Sequence, residues 1–133
     1  MFPSANCIPC MSAHDADLTL KQIVEVCDKA VELRNSMTWE EFRGDWRKQM
    51  LGERLVEVLG EAVKRLPDDL RQRHPQLPWD KIAGTRDYIA HGYDSVDYDV
   101  IGGVLNIEAG KLKESVLAIL AKEFPEPPKR QVS

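Results

Sequence analysis

Hydrophobic and polar positions alternate with helical spacing over most of this 133-residue chain. Between Asp17 and about Ser36, Leu20, Ile23, Val24, Cys27, Ala30 and Val31 form an apolar stripe, and Lys21, Glu25, Asp28, Lys29 and Glu32 cover the other side, which predicts an amphipathic helix. Thr38-Trp39-Glu40-Glu41 matches a capping box, in which the threonine hydroxyl and the glutamate carboxylate each take a backbone N–H, so a short helical turn through Phe42 is expected. The longest predicted helix spans about Asp45 to Leu66 and stops at Pro67, with Trp46, Met50, Leu55, Val58, Leu59, Ala62, Val63 and Leu66 read as its core stripe. Gly60 lies within that stripe at a cost of roughly 1 kcal/mol relative to alanine, which predicts close approach by a neighbouring helix.

Pro67-Asp68-Asp69 and His74-Pro75 bracket a short turn in which His74 is expected to be solvated. Leu77-Pro78-Trp79-Asp80 starts the next helix, Trp79, Ile82, Ala83 and Ala90 mark its apolar side, and Gly92 ends it. Asp97 can cap a helix carrying Val100, Ile101, Val104 and Leu105, which Gly102-Gly103 interrupts. A break at Glu108-Ala109-Gly110 precedes a last amphipathic helix with Leu112, Val116, Ile119, Leu120 and Phe124, closed by Pro125. No alternating strand pattern, internal repeat or glycine-rich phosphate loop is present, which removes kinase and dinucleotide-binding readings. The expected fold is therefore all-α, an up-and-down bundle of four to five helices over residues 17–124, with a flexible N-terminal extension at 1–16 and a C-terminal tail at 125–133.

Composition changes little in this picture. A hydrophobic content of 43% and this length suit one domain. No run approaches the ~18 to 20 apolar residues of a membrane span, and no basic-then-apolar leader opens the chain, so a cytoplasmic protein with no membrane contact is expected. Cys7, Cys10 and Cys27 make an odd count that suggests reduced thiols. Cys7, Cys10, His14 and Cys27 could together supply four zinc ligands, but the first three lie in a Pro- and Ser-containing tail and the fourth belongs on a helix, so no metal and no cofactor are expected. Met11 is a plausible start, which would make residues 1–10 an upstream extension. The formal charge of −4 argues against broad nucleic-acid affinity and leaves room for a small cationic cleft.

Candidate chemistry concentrates in Arg86-Asp87-Tyr88-Ile89-Ala90-His91-Gly92-Tyr93, which sets a cation, an imidazole and a phenol at one helix end. Arg86 and His91 are five residues apart, about 140° around the axis and roughly 7.5 Å along it, within reach of a long guanidinium stem. Asp87 lies four residues before His91 and could hydrogen-bond one ring nitrogen. The negative end of the helix dipole favours the charged imidazole and poises it for proton exchange near neutral pH. The bland alternative makes Arg86 and Asp87 surface ion pairs, His91 a polar cap and Tyr93 a packed ring. Glu57 and Glu61 share a face as a carboxylate pair, but Arg54, Lys64 and Arg65 lie within one turn and suit an ordinary salt-bridged surface.

With its Arg-x4-His-x-Tyr pattern at Arg86, His91 and Tyr93, the chain resembles the HepT-like toxins of the HEPN superfamily. Trp39-Glu40-Glu41-Phe42, Val58 to Leu66, His74 to Trp79 and Val96-Asp97 also look like family blocks in family order, so the resemblance covers roughly Leu18 to Phe124. Arg-x4-His alone is a weak signal; the combination is specific. The resemblance implies an all-helical homodimer acting as a metal-independent endoribonuclease on RNA, without DNA as a substrate, and able to join its partner in a larger hetero-oligomer. That partner would be a minimal nucleotidyltransferase serving as antitoxin of a toxin–antitoxin pair, which transfers AMP to the motif tyrosine. Carried over, Arg86 and His91 are the catalytic pair, Asp87 supports them, Tyr93 accepts the AMP, and Glu61 is a candidate for the surrounding shell. Asp87 stands where asparagine is common, which places a negative charge beside the cation. The alternative is a noncatalytic HEPN interaction module that binds a nucleotidyltransferase, since relatives of that kind exist.

Overall fold

A helix from Ala13 to Asn35, α1, buries Ala16, Leu20, Ile23, Cys27, Ala30 and Leu33 along one side, at the three- and four-residue spacing that keeps side chains on one helical face. The structure is a computed structural model that describes residues 13–91, 97–105 and 109–125, with the backbone alone at 13, 14, 90 and 91. The remaining helices are α2 (Trp39–Gly44), α3 (Trp46–Arg65), α4 (Asp68–Arg73), α5 (Trp79–His91), α6 (Tyr98–Gly103) and α7 (Ala109–Glu123). Four of them, α1, α3, α5 and α7, are long and make the bundle; the other three have six residues each and connect them. The described residues contain no strand. The fold is thus the expected all-α, HEPN-like bundle, and no described helix is long and apolar enough to cross a membrane.

The core lies where α1 packs on α3 and α7, and where α3 packs on α5. Leu112, Val116 and Ile119 of α7 meet the stripe of α1, and Leu55, Val56, Leu59, Ala62 and Val63 of α3 complete it. Each large aliphatic side chain taken from water contributes about 1.5 to 3 kcal/mol, so this seam fixes the bundle. Boundaries follow local chemistry. The capping box forms as expected, with Glu41 N–H donating to Thr38 Oγ1 at 3.1 Å and Thr38 N–H to Glu41 Oε1 at 3.0 Å. Asp45 caps α3 by accepting from Arg47 N–H at 3.0 Å, and Asp97 caps α6 by accepting from Asp99 N–H at 2.9 Å.

Three expectations are corrected. Trp46 and Met50 are 66% and 59% exposed, so they do not belong to the core of α3. Each lies nine residues before a buried leucine, Leu55 or Leu59, which is about two and a half turns and places it on the opposite side of the helix. His74 is buried at 7% exposure, with its Nε2 paired to a Glu123 carboxylate oxygen and its carbonyl accepting from Trp79 Nε1–H at 2.9 Å. Arg73 also donates to Glu123 at 2.7 Å, and these two partners, Arg73 first, hold the Glu123 carboxyl below its ordinary range. The first helix begins at Ala13 and not after Asp17, because Ala16 is a buried member of its stripe.

Gly102, which looked like an interruption, admits a ring. A methyl group there would lie 1.9 Å from Trp39 Cζ3. Trp39 therefore crosses α6 closely, stacks on the fully buried Phe42 at 5.4 Å, and carries Arg43 over its own ring at 5.6 Å. Arg43 in turn binds both Asp99 oxygens, at 3.0 and 3.1 Å, which ties α2 to α6.

Candidate active site

The motif helix α5 runs to His91, where Gly92 was expected to end it, and packs on α3 more extensively than any other helix pair does. Ile82 and Ile89 face the core, and Trp79 anchors the start, while Arg86 and Asp87 are half-buried and Tyr88 is exposed. Arg86 is placed by one contact above all. A methyl group on Gly60 would lie 2.3 Å from Arg86 Cβ, 3.1 Å from its Cγ and 3.0 Å from the Ile82 carbonyl oxygen, so glycine is what lets the arginine stem lie against α3. The close approach predicted for Gly60 is present, and the neighbour is the candidate catalytic arginine itself.

Beyond that stem the guanidinium remains partly open, with 30% of the side chain exposed. Its Nε is buried without a hydrogen-bond partner, and Nη1 lies 3.5 Å from Asp87 Oδ1. The same Asp87 oxygen accepts a much shorter bond, 2.7 Å, from Lys64 Nζ of α3. Lys64, followed by Arg86, holds the Asp87 carboxyl below its ordinary range, so it is an anion at neutral pH. The negative charge beside Arg86 is thus shared between two cations, and these three groups together carry one net positive charge although the chain as a whole carries −4.

The sequence assigned Lys64 to the salt-bridged surface around Glu57 and Glu61. Part of that surface exists, since Arg54 Nη1 donates to Glu57 Oε1 at 2.6 Å, and Glu61 is exposed on the same helix. Lys64 and Arg65 leave it. Lys64 reaches Asp87 on α5, and Arg65 donates to Gln22 on α1. No local spacing signals a contact between residues 23 apart; only the packing of α3 on α5 does. Tyr88 is a second residue without a prior role. Its phenol oxygen accepts from Asp97 N–H at 2.6 Å and joins the last turns of α5 to the start of α6, the two ends of the segment that carries Tyr93.

The imidazole of His91 and the whole of Tyr93 lie outside the described residues, so Arg86 and Asp87 are the two motif side chains with a described geometry. Cys7, Cys10 and the His14 side chain also lie outside them. Cys27 is buried in the α1 stripe, and desolvation pushes its thiol up to about 12, aided by Asp28. A thiol that resists ionisation is a poor zinc ligand, and among the described residues no group of three His, Cys, Asp or Glu could hold a metal ion.

Four concavities among the described residues lie elsewhere. One is lined by Arg34, Asn35, Trp39, Phe42 and Gly102 between α1, α2 and α6; another by Asp68, Arg71, Trp79 and Asp80 at the start of α5. An apolar groove runs between Val24, Leu117 and Phe124, and a shallow cleft between Met50 and Glu57. Arg86 lines none of these four; its partly exposed guanidinium stands beside Asp87, which Lys64 also binds.

Comparison with known proteins adds the chemistry. The family model described as "Ribonuclease HepT-like" matches residues 23–119. A protein of Caldanaerobacter subterraneus provisionally named an RNase is 36% identical over 78% of this chain and 93% of its own length. A Methanocaldococcus jannaschii protein with the same kind of provisional name is 36% identical over 78% of this chain and 87% of its own. A protein of Thermococcus cleftensis, provisionally named ribonuclease HepT, is 32% identical over 71% of this chain and 86% of its own. No solved structure gives a significant match.

Proposed function

Because the chain belongs to the HepT-like ribonuclease family, we propose that it is an endoribonuclease whose catalytic pair is Arg86 and His91, the toxin of a toxin–antitoxin pair. The observation that carries this reading is the braced arginine. Gly60 seats its stem, Asp87 touches its head, and the guanidinium stays partly open in the helix that ends at His91. A group of this kind, fixed in advance, can stabilise charge on a phosphoryl group without reorganising during the reaction.

In the proposed reaction the ribose 2'-oxygen attacks the adjacent phosphorus and the bond from phosphorus to the 5'-oxygen breaks. The products are a 2',3'-cyclic phosphate and a 5'-hydroxyl. One imidazole removes the 2'-hydroxyl proton, a protonated imidazole gives a proton to the leaving oxygen, and Arg86 neutralises the negative charge on the nonbridging oxygens. No metal ion takes part. A single His91 cannot hold both protonation states at once, whereas a twofold dimer brings one from each chain. The rate per chain is accordingly expected to fall on dilution below the dimer dissociation constant; a rate that stayed constant would remove the shared cleft.

The test of the activity is incubation of the pure protein with single-stranded RNA in EDTA, followed by analysis of the new ends. Cyclic phosphate and 5'-hydroxyl ends are expected; intact RNA would leave a binding module as the better account. Control of the toxin is assigned to Tyr93. An AMP group added there by a nucleotidyltransferase antitoxin brings negative charge and bulk beside the phosphate site and repels RNA in the cytoplasm. Intact-mass measurement after coexpression should show one adenylyl group per modified chain, lost in Tyr93→Phe. Neutralisation of toxicity without any added mass would count against this control.

A further inference from the structure

We infer that Lys64 is a positioning residue for Arg86: by holding Asp87 from the neighbouring helix it keeps that carboxylate from capturing the guanidinium that must meet phosphate. This inference rests on the ribonuclease reading of the site and deepens it.

The argument begins with the neighbours in sequence. Asp87 follows Arg86 directly, and adjacent helical residues point about 100° apart, so their side chains meet only if one of them bends back. They do meet, but loosely, with 3.5 Å between Nη1 and Oδ1. The strong partner of that oxygen is Lys64 Nζ at 2.7 Å. One carboxylate oxygen thus serves two cations, and the lysine has the shorter bond. Both Lys64 and Asp87 are close to half exposed, at 43% and 46%, so the pair is worth little to the stability of the bundle. Its effect falls on the site.

Without the lysine, the full charge of Asp87 has one cation left beside it. A guanidinium and a carboxylate close readily into a two-pronged pair, and the N–H groups spent on that pair are the ones that a phosphoryl group needs. The carboxylate would also stand as an unshared negative charge next to an incoming phosphate. Lys64 prevents both consequences from one turn beyond Gly60, so a single stretch of α3 seats the arginine stem and frees its head.

Lys64→Met keeps the stem and removes the charge. In RNA cleavage it is expected to lower kcat by roughly tenfold, with KM within about threefold of wild type, because the loss is in the transition-state partner and not in general attraction for RNA. The decisive comparison is made in Asp87→Asn, where there is no carboxylate to restrain. There Lys64→Met should change kcat by less than about threefold. Thermal melts of all four proteins serve as folding controls.

An unchanged kcat in Lys64→Met overturns the inference. So does an equal loss with and without the Asp87 carboxylate, which would mean that Lys64 touches RNA itself. Wild type and Arg86→Ala run alongside. If wild type does not cleave RNA, or Arg86→Ala cleaves it equally well, the reading of the site falls and this inference with it. If those two behave as proposed and Lys64→Met alone is neutral, only the inference is wrong.

Discussion

Gly60→Leu is expected to cost the protein both its stability and its activity, although residue 60 has no reactive group. Even the first carbon of the new side chain would meet Arg86 Cβ at 2.3 Å and the Ile82 carbonyl oxygen at 3.0 Å, and α5 cannot yield at the carbonyl without moving as a helix. Overpacking of this kind costs about 1 to 3 kcal/mol, which for a domain of this size lowers Tm by roughly 3 to 15 °C. The rate should suffer more, since a catalytic group displaced by about 1 Å can lose on the order of 100-fold. Gly60→Ala has a gentler balance, because alanine recovers roughly 1 kcal/mol of helix propensity while still meeting the arginine stem. Thermal melting and RNA cleavage on the same preparations separate the two losses. A Gly60→Leu protein with the melting temperature and rate of wild type would show that α3 does not seat Arg86.

The larger loss of rate belongs to the proposed pair. Arg86→Ala should reduce cleavage by about 100- to 1000-fold, the usual scale for removing one preorganised partner of developing negative charge. His91→Ala should reduce it by about 100- to 10,000-fold through loss of proton transfer. Arg86→Lys is expected to recover little, because an ammonium keeps the charge but not the planar fork that matches two phosphoryl oxygens. Fold integrity is the necessary control, and the structure supplies a reason to expect it for Arg86→Ala. The alanine frees space against Gly60, and Asp87 keeps its bond to Lys64. Arg86→Ala or His91→Ala chains that cleave RNA at the wild-type rate would take the motif out of the mechanism.

Much of this architecture was legible in the order of residues. Capping residues, prolines and apolar spacing are local signals, and they located α2, α3, α5 and α7 closely, including the capping box at Thr38 and the end of α3 before Pro67. Gly60 was legible for another reason. A glycine in the buried stripe of a long helix costs propensity, and that cost implied a neighbour pressed close. What failed was information that sequence spacing does not contain. Trp46 and Met50 are apolar and repeat with the right period, but their phase puts them opposite the leucines of the same helix. His74 looked solvated because its partner, Glu123, lies 49 residues away.

The site divides in the same way. The motif placed Arg86 and Asp87 correctly on the last turns of one helix, and its bland reading, a surface ion pair, also describes what Asp87 does. Their electrostatic setting depends on Lys64, which comes from another helix and which the local charge pattern assigned to Glu57 and Glu61. An aspartate where asparagine is common thus stood, when read alone, as a full negative charge beside the cation. Beside Lys64 it is a shared, partly neutralised charge.

The measurement closest to the central claim uses two oligonucleotides that differ in one oxygen. The pure protein is incubated in EDTA with an RNA that it cleaves, and with the same RNA carrying a single 2'-deoxyribose at the cleaved position. Cleavage through 2'-hydroxyl attack requires that the first is cut to a 2',3'-cyclic phosphate, that the second stays whole at that position, and that Arg86→Ala cuts neither at a comparable rate. Equal cleavage of both oligonucleotides, or cleavage that disappears in EDTA and returns with added divalent metal, would contradict the account.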